Sequence, residues 1–93
     1  MAKINIIRPG GIFGFAISFT ALVDGNEVGK VKNGKTITVE IPEGEHTVSI
    51  KSLEETLDQK VELTNGKTEV DIKIAVGVGI IAGRPVIKGI EYR

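Results

Sequence analysis

Apolar residues fall on every second position through most of this 93-residue chain, and the alternation is cut at short intervals by turn-forming sequence. The cuts are Asp24-Gly25, Asn33-Gly34, Pro42-Glu43-Gly44-Glu45 and Asn65-Gly66. Period-two spacing between turn signals predicts strands that each lay one face on a core. No segment carries the 3.6-residue period of a helix, and Ser52 to Asp58 has room for one turn at most. The expected fold is all-β: a single antiparallel β-sandwich of seven or eight strands, one domain over residues 1–93.

A first strand is expected over Lys3 to Arg8, with Ile4 and Ile6 on one face. It ends at Pro9-Gly10-Gly11, where proline removes a ladder donor and the glycines permit a bend. A long second strand runs from Phe15 through Ile17, Phe19, Ala21 and Val23 with its odd positions inward, and is predicted to be central. Turn lengths follow from parity, because a one-residue slip exchanges the two faces of a strand. Val31 before Asn33-Gly34 and Ile37, Val39 and Ile41 after it are all odd. That predicts a three-residue hairpin loop, Lys32-Asn33-Gly34, with Gly34 left-handed in a bulge.

At Asn65-Gly66 the inward set switches from Leu57, Val61 and Leu63 to Val70, Ile72 and Ile74. A two-residue hairpin turn with both central residues at positive φ satisfies the switch, setting Thr64 against Lys67 and Val61 against Val70. An even-length loop at Pro42-Glu43-Gly44-Glu45 carries the phase from Ile41 to Val48 and Ile50, and His46 shares it. From Thr68 the alternation Val70, Ile72, Ile74, Val76, Val78, Ile80 outlasts the strand norm of roughly 5–6 residues. Gly77 and Gly79 lie on its other face. Ala82-Gly83-Arg84-Pro85 reads as a turn and Val86 to Tyr92 as the last strand.

Twelve Lys and Arg balance twelve Asp and Glu. That balance argues against a nucleic-acid partner, since phosphate binding needs a clustered excess of cations. With no cysteine and one histidine, neither a disulfide nor a Cys/His metal set is expected, and no cofactor motif is present. The amino end lacks the apolar stretch of a secretory signal, so the default expectation is the cytoplasm. The most apolar run, Ile74 to Gly83, is about half the roughly 20 residues of a spanning helix and holds three glycines, so no membrane span is expected.

Arg8-Pro9, Val23-Asp24-Gly25, Val28-Gly29, Asn33-Gly34 and Pro42-Glu43-Gly44-Glu45-His46 occur in that order between Ile7 and Ile50. Through them this half of the chain resembles small bacterial β-sandwich modules of the PEGA type and related uncharacterised lipoprotein-associated domains. The resemblance implies an Ig/PEGA-like sandwich and a binding or surface role with no assigned activity. The glycine-rich segment Val76 to Gly83 falls outside the shared pattern, and no lipobox is seen in this sequence.

Several residue groups have chemistry to weigh. His46 is the sole histidine: a general base needs a hydrogen-bonded partner, and the plainer role is a turn cap with its ring at the rim of the core. Glu54, Glu55 and Asp58 suit acid-base work only if a cleft holds them apart at a fixed distance, and otherwise form a solvated cluster. Lys30, Lys32 and Lys35 surround one loop without the aromatic residues of a stacking platform, and lysines also guard sheet edges. Arg8 and Arg84, each preceding a proline, would frame an anion site if the first and last strands were neighbours, or simply end their strands. Ile74 to Ile81 is either a buried central strand or, through Val76, Val78 and Ile80, a self-association edge. The expectation is a non-catalytic binding or structural module that forms a homo-oligomer, such as a homodimer, through the strand 68–81. A small-ligand carrier is the alternative, and an enzyme is not expected.

Overall fold

The computed structural model describes residues 1–11, 17–52, 55–77 and 84–93. Its strands are β1 (Ala2–Ile7), β2 (Phe19–Val23), β3 (Asn26–Val31), β4 (Thr36–Ile41), β5 (Gly44–Lys51), β6 (Thr56–Leu63), β7 (Glu69–Val76) and β8 (Pro85–Tyr92). Strands hold 69% of the described residues, and no helix occurs among them. They form two four-stranded sheets, ordered β4-β1-β7-β8 and β3-β2-β5-β6, which pack together in an arrangement consistent with a β-sandwich. β2 is interior to its sheet, as expected, but its strand begins only at Phe19, with Ile17 and Ser18 outside it.

Alternation places the core where it is expected. Ile4 and Ile6, Phe19, Ala21 and Val23, Val48 and Ile50, Val61 and Leu63, and Val70, Ile72 and Ile74 are all buried. Ile37, Val39 and Ile41 pack against that cluster partly buried. Each fully buried branched or aromatic side chain contributes on the order of 1.5–3 kcal/mol, so these facing rows hold the sheets together.

Strand partnership departs from the expectation in three places. β1 and β7 run parallel, with Ile4 beside Val70 and Ile6 beside Ile72, so one sheet is mixed rather than antiparallel. A period-two pattern records which face is apolar but not the direction of the neighbouring strand. Asn33-Gly34 does not close a hairpin: β3 pairs with β2 and β4 with β1, in different sheets. Asn65-Gly66 likewise joins β6 of one sheet to β7 of the other; Val61 pairs with His46, and Val70 with Ile4 and Tyr92.

The local turn chemistry nonetheless holds. The Lys35 amide donates to the Lys32 carbonyl at 3.0 Å and Gly34 has φ +74°, while Lys67 donates to Thr64 at 3.1 Å around Asn65 (φ +55°) and Gly66 (φ +86°). These turns serve as corners between sheets, because a corner must also return the next strand with its apolar face toward the same core. Pro42 and Glu43 form a third corner, two residues long, between β4 and β5. Asp24-Gly25 is a true hairpin, pairing Val23 with Asn26.

Candidate functional site

His46 is the first residue of interest, and its position follows from strand phase: on β5 it faces inward opposite Val61, at the rim of the core. Its side chain is 12% exposed. The Asp24 carboxylate of the β2–β3 turn lies 2.6 Å from Nδ1, and the Pro42 carbonyl of the β4–β5 corner lies 2.7 Å from Nε2. Carboxylate and carbonyl only accept, so both contacts are hydrogen bonds only when the ring carries two protons. Burial works against that charge, but the bonds to Asp24 and Pro42 and the nearby Asp24 charge together raise the His46 pKa above its ordinary value. Asp24 is held below its ordinary value first by the Thr47 amide, 2.9 Å from Oδ1, and then by His46. The turn-capping role fits this geometry, and the ring in addition ties two connections of the chain, the β2–β3 turn and the β4–β5 corner, to β5.

Arg8 continues the inward phase of Ile4 and Ile6 and is 3% exposed. Its Nη1 donates to the carbonyls of Ile17 and Val31, the latter at 2.9 Å, and its guanidinium sits 4.9 Å from the centre of the Phe19 ring. Burial lowers its pKa, though a guanidinium remains charged in proteins. Arg8 thereby bridges the two sheets at one end of the core. Arg84 is exposed just before β8, where its carbonyl accepts the Gly77 amide at 2.8 Å.

Val76 ends β7 opposite Pro85, while Val78 and Ile80 lie outside the described residues. Within them β7 is interior: β1 takes one of its edges and β8 the other. Pairing with a second chain along Glu69–Lys73 therefore needs a native strand displaced. Of the acidic residues, Asp58 accepts the Ser49 hydroxyl on the outer face at 2.6 Å, Glu55 closes the β5–β6 connection through its main chain and Ser52, and Glu54 lies outside the described residues. Lys30, Lys32 and Lys35 are exposed around the β3–β4 corner.

Two features have no counterpart in the sequence reading. The first is a network on the outer face of the mixed sheet. Asn5 donates through Nδ2 to Glu69 at 2.6 Å and Asp71 at 2.8 Å, and accepts the Thr38 hydroxyl at 2.8 Å. Arg93 bonds both carboxylates, Glu69 at 2.8 Å. Arg93 and then Asn5 depress the Asp71 pKa, and Asp71 in turn raises that of Arg93. Parallel pairing of Asn5 with Asp71 builds this cluster from residues 66 positions apart, which alternation has no means to reveal.

The second is the side of the molecule where β8 and β6, the edges of the two sheets, run close together. A groove of about 660 Å³ there is lined by Lys60, Glu62, Thr64, Asn65, Lys67 and Tyr92. Ile90 and Tyr92, both on β8 and each 36% exposed, are with Met1 the exposed large apolar side chains of the described residues. The Tyr92 hydroxyl accepts the Glu62 amide of β6 at a long 3.4 Å.

Among the described residues no group of three or more His, Cys, Asp or Glu side chains is placed to hold a metal, and no helix is long and apolar enough to cross a membrane. No protein-family model, curated protein or solved structure matches this chain.

Proposed function

We propose that this chain is a non-catalytic binding or structural module of Ig/PEGA-like sandwich type that works through main-chain edges rather than side-chain chemistry. One observation carries the reading. The side chains with reactive character, His46, Arg8, Asn5, Glu69, Asp71 and Arg93, have their polar atoms engaged in bonds that join strands and corners. Among the described residues β8, by contrast, keeps an edge without a strand partner and carries the exposed apolar residues Ile90 and Tyr92. Strand addition at such an edge gains affinity from main-chain hydrogen bonds and selectivity from alternate side chains.

The groove between β6 and β8 favours a second reading, a carrier of a small polar ligand held by Lys60, Lys67 and Asn65 against the Tyr92 ring. A thermal-shift screen against sugars, nucleotides and organic acids separates the two. Saturating a native-state ligand to 100 times its Kd adds about 2.7 kcal/mol, which raises the melting temperature of a domain this size by roughly 10 °C or more. The edge-module reading expects no such shift, and one that is abolished by Tyr92→Ala and Lys67→Ala overturns it in favour of the carrier.

A further inference from the structure

We propose that two copies of this chain pair antiparallel along β8, with Ile90 on the two-fold axis, and so join their β4-β1-β7-β8 sheets into one. The inference rests on the edge-module reading and names its partner. Arg93 and Glu69 exchange both main-chain hydrogen bonds, Arg93 N–H to the Glu69 carbonyl at 2.8 Å and Glu69 N–H to the Arg93 carbonyl at 3.0 Å. Antiparallel ladders alternate bonded and non-bonded pairs, and the register runs on through Tyr92 with Val70, Glu91 with Asp71 and Ile90 with Ile72. The N–H and C=O groups of Glu91 therefore point at β7, and those of Ile90 and Tyr92 point away from it. The residues whose main chain faces outward are the same two whose apolar side chains remain 36% exposed.

Register follows from this alternation. An added strand bonds only where outward groups meet outward groups, so Ile90 meets Lys88, Ile90 or Tyr92 of a second copy. Pairing with Lys88 runs the ladder into the shift between Lys73 and Ile74, where β8 carries one extra residue and regular pairing is broken. Pairing with Tyr92 sets Glu91 directly against the partner's Glu91, and like charges opposite one another destabilise a pair. Pairing Ile90 with the partner's Ile90 avoids the carboxylate clash and reaches the shift only at its last pair, Lys88 with the partner's Tyr92. It places Glu91 opposite the partner's Gly89 and Tyr92 opposite the partner's Lys88, and stacks two isoleucines on one face. In this register β8 meets itself with no like charges opposed and with the Lys88 ammonium across from the partner's Tyr92 ring, a favourable cross-strand pair, which favours a second copy over an unrelated strand.

Sedimentation velocity on the full chain from micromolar to millimolar concentration tests this. The mass is expected to rise from 9.9 kDa toward twice that value. Ile90→Lys, which sets two ammonium groups on the axis, and Ile90→Pro, which removes an outward N–H while sparing the bonds to β7, are expected to stay monomeric. Lys30→Glu on the far edge β3 is expected to dimerise as wild type does. Should the variants fold poorly, amide exchange on the wild type decides instead: the Ile90 and Tyr92 amides are expected to slow as concentration rises. Overturning outcomes are a wild type that stays monomeric at millimolar concentration, unchanged dimerisation of folded Ile90→Lys, or concentration-independent exchange at both amides. Any of these removes the self-pairing and leaves the edge-module reading, which the ligand screen tests separately.

Discussion

Removing one of the two ring protons that His46 donates to its two acceptors is expected to loosen one end of the protein. With the ring at 2.6 Å from Asp24 and 2.7 Å from the Pro42 carbonyl, a neutral imidazole keeps one bond and turns a lone pair toward the other acceptor. Hydrogen bonds to charged groups are worth about 1.5–3 kcal/mol. Asp24 is 44% exposed, so solvent screening brings the expected loss to about 1 kcal/mol. For a domain of 60–100 residues that is roughly 4–8 °C in Tm.

Direction follows from linkage. The His46 pKa is raised in the folded protein, so its contribution is complete below the unfolded value of about 6.5 and is lost as pH climbs through the folded value. The Asp24 pKa is lowered, so its contribution is present above the unfolded value of about 3.9 and fades as pH falls through the folded one. The assay is the difference in thermal stability between wild type and His46→Ala at pH 5.5 and pH 8.5, which cancels the titration of groups remote from the ring. A difference larger at pH 5.5 by about the amount above is expected. Equal differences at the two pH values, or an imidazole that titrates at or below the ordinary value by NMR, would refute the reasoning.

Two further substitutions probe other parts of the structure. Gly34→Ala is expected to cost about 1 kcal/mol or more, because a Cβ is penalised at positive φ; φ is +74° there, and the added carbon would sit 3.7 Å from Gly10 Cα. An unchanged melting temperature would show that the corner has been misassigned. Asn5→Leu removes the donor shared by Glu69 and Asp71 and the acceptor of Thr38. A loss of about 1–3 kcal/mol in denaturant unfolding is expected, together with a rise in the Asp71 pKa by carboxyl NMR; a neutral effect on both would show that the network is peripheral.

Face assignment was legible in the sequence and partnership was not. Ile4, Phe19, Val48, Val61 and Ile72 reach the core as alternation predicts, since apolar burial is a property each strand expresses by itself. The positive φ at Gly34, Asn65 and Gly66 was likewise readable, being the conformation those residues tolerate. Whether such a turn closes a hairpin or rounds a corner depends on which strands lie beside it. That is decided by contacts such as Ile4 with Val70, 66 positions apart. The same gap hid the Asn5 network and left open whether β7 was a buried central strand or a self-association edge.

His46 shows the mixed case. Its inward phase followed from parity with Val48, but its acceptor Asp24 comes from a turn 22 positions earlier, brought near by the pairing of Val23 with Val48. Arg8 differs again: its phase with Ile4 and Ile6 was visible, yet a charged residue in an inward position gives no sign of which carbonyls will receive it. Val31 and Ile17 become its acceptors only once the two sheets face each other.

The placement of β1 beside β7 decides which edge is free, and amide and side-chain proximities measured by NMR test it most directly. Cross-strand signals between Ile4 and Val70 and between Asn5 and Asp71, in parallel register, are the predicted result, with Ile72 also close to Ile90. A hairpin pattern linking Val61 to Val70 would contradict the account, for it would place β7 beside β6 and return its other edge to solvent.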